Sequence, residues 1–432
     1  MKFYKLLRHQ PRNMHILHLL LLCVFAGLVS QGVVFYPDSQ GYIEGHIYRS
    51  ALYPSIIHVF LFLSSAHGLW LLIIFQLLLG YVAIIKTIHT LRHIFQLQDY
   101  LLWLFAPIMV IPYFSGTLGN AILTEGISYP FFLLGTCSLL SGIYNKREKD
   151  FLVYLVYITL LVLIRGQFLF LYVVFPFIIV WLYRTNAKAR IGMLAACCIL
   201  SIFTGTLLER TYHLLANQRF ITTPFGGMQI AIAPMYLSTP QDSLLFSDTL
   251  QKSIFTETRA GMVSHNLIPE GWELYFPYAF ALNYDKILYT ELMPTLNIHG
   301  CLDPVENDRI MNNIALTLIK HNDISFLHLY VNNVIYYFGG VYYCVVVCLF
   351  LVFALYFTIK HPANVFSSAS FFILLMAVGN ATATCLFIFV QKRYTIYTDP
   401  FIMVLLLIAV SRCFQSYFQN EDANNSRGLQ KS

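Results

Sequence analysis

Residues 14–42 read MHILHLLLLCVFAGLVSQGVVF–YPDSQGY, an apolar run that ends abruptly in a polar turn. The run from Met14 to Phe35 is long enough to cross a bilayer, since a spanning helix needs about 20 apolar residues. Pro37 and Gly41 favour a turn where the chain leaves this helix. Several titratable side chains are concentrated in the turn and just after it: Asp38, Glu44, His46 and Arg49.

The composition of the whole chain indicates that much of the rest of the protein is also embedded in a membrane. Of the 432 residues, 58% are hydrophobic and only 11% are charged, whereas soluble domains carry about 25% charged residues. A chain this apolar needs the bilayer as its main solvent, and helices satisfy their backbone hydrogen bonds there. We therefore expect an all-α polytopic membrane protein. Its net charge of +6 is modest, and nothing in it predicts a nucleic-acid partner.

Apolar runs of spanning or near-spanning length predict about ten transmembrane helices. No small-x-small cleavage site follows the first run, so we expect it to remain as a signal anchor. The predicted helices cover residues 14–35, 68–90, 100–115, 120–143, 151–164, 167–183, 191–209, 331–358, 366–390 and 399–413.

The basic residues indicate how these helices are oriented. With the N-terminus inside, sixteen Lys and Arg residues fall in inside segments and only four in short outside segments. This bias agrees with the positive-inside rule. This orientation predicts that the loop after the first helix lies on the extracytoplasmic face, and we expect the membrane to be the plasma (inner) membrane. The four exceptions on the outside are Arg49, Arg165, Lys392 and Arg393.

The same topology predicts four parts of the chain. Residues 1–209 form an N-terminal transmembrane module, whose first outside loop, 36–65, includes a helix at 51–65 that lies on the membrane surface. Residues 210–330 are too long for a linker and predict an extracytoplasmic domain. Residues 331–415 form the C-terminal transmembrane helices, and the polar tail 416–432 is expected to be disordered and cytoplasmic.

The outside basic residues have two interpretations. Arg49, Arg165, Lys392 and Arg393 all lie near helix ends, at the depth of the lipid headgroups. They could extend toward the headgroups or pair with lipid phosphate as part of ordinary anchoring. They could also converge on the phosphate of a lipid-linked substrate, since the planar guanidinium donates two hydrogen bonds to one phosphate.

Two carboxylates fall on the same outside face. Glu125 lies at the outer end of the fourth predicted helix, where a carboxylate is costly and rarely without a function. It is either a structural partner of an arginine or hydroxyl, or a second acidic, orienting residue of a site. Asp38 is either a solvent-facing turn residue or the centre of that site. The nearby tyrosines, among them Tyr42 and Tyr53, could line a sugar-binding surface together with Glu44 and His46, or belong to the interfacial aromatic belt.

The order of these motifs resembles the GT-C superfamily of polytopic glycosyltransferases. It is most similar to bacterial members related to the protein O-mannosyltransferases (glycosyltransferase family 39) and to the aminoarabinose transferases of lipid A. The first loop lacks the adjacent Asp-Glu pair of the mannosyltransferases, and the long outer segment is internal rather than C-terminal. The resemblance rests on Pro37-Asp38-Ser39 with Tyr42, Arg49-x-x-x-Tyr53-Pro54, Leu123-Thr124-Glu125, Leu163-Ile164-Arg165, and Arg393-Tyr394 with Pro400.

This resemblance implies a polyprenyl-phosphate sugar donor, used outside the cytoplasm, and inversion at the anomeric carbon. A single displacement needs one general base, which we assign to Asp38. The leaving phosphate needs positive charge, which we assign to Arg165 and Arg393, with Arg49 and Lys392 as further candidates. A divalent metal, Mg or Mn, could supply part of that charge if Asp38 and Glu125 held it.

Two other classes of membrane protein remain as alternatives. An O-antigen polymerase or ligase also has about ten helices and a large outside loop, but its catalytic Arg and His would lie in that loop. A transporter or flippase of lipid-linked sugars would place charges at the membrane midplane, between repeated halves. The sequence has no Walker A loop, GxGxxG fingerprint or GxSxG elbow, so nucleotide-driven and serine-hydrolase functions have no motif to support them.

Overall fold

The computed structural model describes residues 12–114, 119–184, 188–361 and 364–413. The predicted tail at 416–432 lies outside these residues. The described part is almost entirely helical and contains no strand, only an isolated parallel bridge between Val34 and Ala121. This confirms the all-α class.

The N-terminal half of the described chain contains nine helices. A 3-10 turn, Gly166–Leu169, leads directly into the eighth. The helices are α1 Arg12–Ser30, α2 Ser39–Ile43, α3 Leu52–Leu63, α4 Gly68–Phe95, α5 Asp99–Phe114, α6 Glu125–Asn145, α7 Glu148–Ile164, α8 Phe170–Tyr183 and α9 Lys188–Asn217.

The C-terminal half begins with the short helices of the large outer segment and ends with membrane-type helices. A π-helical stretch, Ile287–Leu292, follows directly on α12. The helices are α10 Gly226–Leu237, α11 Thr249–Ser264, α12 Pro277–Lys286, α13 Met293–Ile298, α14 Pro304–His321, α15 Asp323–Tyr337, α16 Val341–Lys360, α17 Val365–Phe387, α18 Lys392–Thr395 and α19 399–413.

Six of the described helices are long and apolar enough to cross a membrane: α4, α6, the unit Gly166–Tyr183, α9, α16 and α17. Shorter apolar helices occur at Met14–Ser30, Leu52–Leu63 and Asp99–Phe114. Helices α9 and α16 bury little of their apolar surface against the rest of the protein. Leu and Val side chains exposed in this way fit a hydrocarbon environment, so the protein has the character of an integral membrane protein.

Several predicted helices have different bounds in the structure, and two of these differences change the path of the chain. The fourth begins at Glu125 rather than at 120, because Asn120 and Ile122 hydrogen-bond with Val34 through their main chains instead of joining the helix. The predicted helix 331–358 is broken after Tyr337, where Gly339 and Gly340 have φ values of +73° and +113°. Such backbone conformations suit glycine and end a helix.

The predicted domain boundaries also shift. Helix α9 continues to Asn217, past the predicted boundary at 209/210, and helix α15 crosses the boundary at 330/331. The outer segment therefore begins and ends inside helices, because both helices extend beyond their apolar runs. It nevertheless has its own hydrophobic core, formed by buried side chains of α10 to α15. Among them are Met228, Phe255, Tyr284, Ile314 and Leu329.

Candidate functional site

The first outside loop is fixed to the start of α6 by backbone hydrogen bonds. The Val34 N–H donates to the Asn120 carbonyl at 2.9 Å, and the Ile122 N–H donates to the Val34 carbonyl at 3.0 Å. The hydroxyl of buried Ser39 adds a bond to the Ile122 carbonyl at 2.9 Å. The loop that carries Asp38 is therefore held beside the end of α6 that carries a second carboxylate.

Asp38 lies between two guanidinium groups. Arg49 donates from Nη2 to Oδ1 at 2.9 Å, and Arg393 donates from Nη1 to Oδ2 at 3.2 Å. Burial raises the pKa of the Asp38 carboxyl, but the two arginines lower that pKa by more, and its net value lies below the ordinary one. Asp38 is therefore ionised at neutral pH and both of its oxygens are occupied.

Glu125 is almost completely buried and lies between the guanidinium groups of Arg165 and Arg393, the second of which also contacts Asp38. Arg165 donates from Nη1 to its Oε1, and the Nε of Arg393 lies 3.8 Å from the same oxygen. The Thr124 hydroxyl donates to Oε2 at 3.1 Å, and it accepts from Arg165 at 3.2 Å. Glu125 thus has the structural partners that a buried carboxylate requires, and it also connects to Asp38 through Arg393.

Five predicted site residues form one continuous ion-pair cluster: Arg49, Asp38, Arg393, Glu125 and Arg165. They come from four separate connections between the membrane-type helices. Three guanidinium groups and two carboxylates give a formal charge of 3 − 2 = +1. All but Glu125 are only partly buried, with side-chain exposures between 16% and 25%, so the cluster is accessible to a ligand.

Tyr394 lies between two of the cluster's arginines. Its ring centroid is 4.9 Å from Cζ of Arg165 and 5.2 Å from Cζ of Arg393. An aromatic face stabilises guanidinium charge, which helps two like charges to lie close together. The Nε of Arg393 is buried and has no hydrogen-bond acceptor among the described residues. The cluster thus retains an unused hydrogen-bond donor.

The two predicted lining tyrosines have different positions. Tyr42 contacts the cluster, since Cζ of Arg49 lies 4.7 Å from its ring centroid. Tyr53 is completely buried behind it, and its hydroxyl donates to Gln76 at 2.8 Å. The structure therefore places Tyr53 behind the predicted substrate surface rather than on it. Its ring supports Tyr42 in an edge-to-face contact at 5.3 Å.

Two other predicted residues, Glu44 and His46, are not brought into the cluster. Glu44 and His46 are exposed and contact each other at 2.6 Å, across a turn in which Gly45 has a φ of +66°. This turn directs them away from Asp38 toward solvent. Lys392 begins helix α18, directly before Arg393, and its side chain lies outside the described residues.

The carboxylates do not fit the predicted divalent metal. Both oxygens of Asp38 and one oxygen of Glu125 contact guanidinium groups, so a cation held there would lie beside three positive charges. Among the described residues, no three His, Cys, Asp or Glu side chains group together as metal ligands. We therefore derive no chemical step through a metal at these residues.

Sequence reasoning did not assign roles to several residues at this place. Thr124 and Tyr394 lie next to predicted site residues in the sequence, and this adjacency could have indicated that they belong to the site. Asp285 and Tyr289, on the outer segment, have no local motif, yet both are close enough to Asp38 to be affected by its charge. Comparison with protein-family models, curated proteins and solved structures gave no match to this chain.

Proposed function

We propose that this protein is an inverting GT-C-type glycosyltransferase that moves a sugar from a polyprenyl-phosphate donor to an extracytoplasmic acceptor. The ion-pair cluster is the observation that supports this proposal. It has excess positive charge, and its guanidinium groups are partly exposed. Phosphate esters bind most strongly to arginine, which donates two parallel hydrogen bonds. A phosphate at the cluster would also complete its charge balance.

The proposal includes a ten-helix topology with the N-terminus inside. The six long helices would be joined by four shorter ones, Met14–Ser30, Asp99–Phe114, Glu148–Ile164 and 399–413, while Leu52–Leu63 would lie on the membrane surface. In this arrangement every connection that contributes to the cluster is on the extracytoplasmic face of the plasma (inner) membrane. The lipid tail of the donor would then lie among the exposed apolar side chains of the helices.

In the proposed reaction an acceptor oxygen attacks the anomeric carbon while the bond from that carbon to the phosphate oxygen breaks. The electron pair leaves with the phosphate, and Arg165 and Arg393 stabilise the negative charge that develops there. Arg49 contributes to this stabilisation indirectly, through its hydrogen bond to Asp38. The sequence-derived candidate for the general base is Asp38. Because two guanidinium groups occupy its oxygens, it could accept a proton only after the donor phosphate had displaced one of them.

Neither alternative class has a specific observation in its favour. In the outer segment, the described arginine pairs are separate surface contacts, such as Arg219 with Asp303 at 3.6 Å and Arg309 with Glu306 at 2.5 Å. They do not gather into a basic site of the kind that a polymerase or ligase would need in its large loop.

Binding of undecaprenyl phosphate, the expected lipid product, tests the donor site. We expect the purified protein in detergent to bind this lipid and Arg393→Ala to weaken the binding at least about tenfold, since charge-assisted bonds contribute about 1.5–3 kcal/mol each. Arg309→Ala, on the exposed surface of the outer segment, is the matched control and should bind like the wild type. Equal binding by all three proteins would contradict the proposed donor site.

A further inference from the structure

The large outer segment places a third carboxylate near the ion-pair cluster. Asp285 lies in the last turn of α12, next to buried Tyr284. The Tyr284 hydroxyl donates to the Phe387 carbonyl at 3.3 Å, and its ring lies 4.9 Å from that of Phe389. These contacts attach α12 to the connection that carries Arg393. Asp285 is therefore held close to the cluster by contacts of its neighbour in the chain.

Asp285 differs from the two carboxylates inside the cluster because its oxygens are available to accept a hydrogen bond. Its side chain is exposed, and among the described residues none donates a hydrogen bond to it or lies within ion-pair distance. Asp38 has both oxygens occupied by arginines, and Glu125 is buried. Asp285 nevertheless lies within electrostatic range of both Asp38 and Arg393. It is thus an unoccupied carboxylate within electrostatic range of the proposed phosphate site.

The helix geometry around Asp285 is unusual. The π-helical stretch Ile287–Leu292 begins two residues later, and such stretches occur frequently at functional sites. Tyr289 follows Asp285 at a spacing of four residues and is also exposed. Burial raises the pKa of Tyr289 to about 12, and the charge of Asp38 contributes to that rise. Both side chains are therefore influenced by the cluster.

We infer that Asp285 is the general base of the proposed transfer, and that Asp38 instead positions Arg49 and Arg393. This inference rests on the proposed function. The acceptor hydroxyl forms its bond to the anomeric carbon, and its proton passes to the Asp285 carboxylate. The bond from the anomeric carbon to the phosphate oxygen breaks, and its electron pair leaves with the phosphate. Solvent then takes the proton from Asp285, which is exposed.

The electrostatics of the two aspartates agree with this division of roles. Partial burial raises the pKa of Asp285, Arg393 opposes that rise and Asp38 adds to it, so the net pKa lies above the ordinary value. The pKa of Asp38 is lowered. A carboxylate with a higher pKa is the stronger base, and general bases work best when their pKa is nearer the working pH.

Azide tests the role of Asp285 because it attacks the anomeric carbon without having a proton to lose. The assay uses the full-length protein with labelled undecaprenyl-phosphate mannose and undecaprenyl-phosphate aminoarabinose as donors. It measures transfer to hydroxyl acceptors in bacterial membranes, and separately the formation of the glycosyl azide. We expect Asp285→Asn to lower hydroxyl transfer at least about 100-fold and to leave azide product formation unchanged, with Asp285→Glu retaining part of the hydroxyl transfer.

Three controls keep the result specific. Asp285→Asn should bind undecaprenyl phosphate and melt like the wild type, which shows that it is folded. Asp323→Asn, an exposed aspartate at the start of α15, should keep both activities. Arg393→Ala should lose both, because it acts on the leaving phosphate.

The other outcomes overturn the inference in distinguishable ways. Full hydroxyl transfer by Asp285→Asn, or loss of both products, would remove Asp285 as the base. Selective loss of hydroxyl transfer in Asp38→Asn alone would give that role to Asp38. A wild-type protein that forms neither product would overturn the proposed function itself, and this inference with it.

Discussion

Arg393 donates a hydrogen bond to Asp38, 355 residues away in the sequence, at 3.2 Å. The same guanidinium places its Nε 3.8 Å from Glu125. One side chain from the C-terminal part of the protein thus joins the two carboxylates of the N-terminal part. The cluster therefore forms only when the two parts of the chain fold together. Substitution of single members can test what each contributes.

Replacing Arg393 by lysine tests whether the geometry of the guanidinium matters or only its charge. Lysine keeps the charge but cannot contact two carboxylates with a planar group. We expect Arg393→Lys to lower sugar transfer by about 100-fold, as for the loss of one fixed donor at a developing negative charge. Arg309→Lys, at an exposed pair, is the control. Transfer by Arg393→Lys at the wild-type rate would show that charge alone suffices.

Replacing Glu125 by glutamine tests the structural role of the buried carboxylate. Without Glu125, Arg165 and Arg393 would keep like charges close together with no buried partner. We expect Glu125→Gln to reduce the free energy of unfolding by about 3 kcal/mol, seen as a lower Tm in detergent. Glu306→Gln, at an exposed pair, should change the Tm little. A Tm for Glu125→Gln as high as that of Glu306→Gln would contradict the importance of the buried pair.

The pH dependence of stability tests the ion pairs of Asp38. Its pKa in the folded protein lies below the ordinary value, so its pairs stabilise the fold at any pH above the unfolded pKa of about 3.9. That contribution is lost only as the pH falls through the folded pKa. We therefore expect the Tm difference between wild type and Asp38→Asn to stay constant from about pH 8 to pH 5 and to vanish in stronger acid. A difference that disappears near neutral pH would mean that Asp38 is not held by arginines.

Replacing Gly41 by alanine tests the position of Arg49. A Cβ atom on Gly41 would lie 2.9 Å from Nε of Arg49, closer than such contacts allow. We expect Gly41→Ala to displace Arg49 from Asp38 and to lower sugar transfer about tenfold, since small displacements of catalytic groups have large effects on rate. Gly192→Ala has no atom within 4 Å of the added Cβ and is the matched control. Equal rates in the two variants would show that Arg49 tolerates the shift.

The sequence indicated site residues where a charged side chain would be buried, because burying a charge costs free energy. Glu125 and Arg165 lie at the ends of apolar helices, and a charge there requires a partner, so both residues stand out in the sequence alone. Counting basic residues predicted that Asp38, Arg49 and Arg393 lie on the same side of the membrane. Their contacts did not follow, because these depend on how helices far apart in the sequence come together.

The remainder of the site depended on features without a sequence pattern. The side chain of Tyr53 is buried because Gln76 provides a hydrogen-bond partner behind the loop, and no spacing indicates this. Glu44 and His46 belong to the same charged stretch as Asp38, but a turn directs them elsewhere. Asp285 comes near the cluster only because α12 docks against residues 387–389, which is a property of the tertiary fold.

The isolated bridge between Val34 and Ala121 has a consequence for sequence comparison. Asp38 follows Val34 by four residues, and Glu125 follows Ala121 by four, so the two acids keep equal offsets from one main-chain contact. Main-chain hydrogen bonds place little demand on the side chains that flank them. In distant relatives the residues at positions 34 and 121 would be free to vary, while the four-residue spacing from each of them to its acid stayed constant. An insertion within either interval would put the two acids out of register.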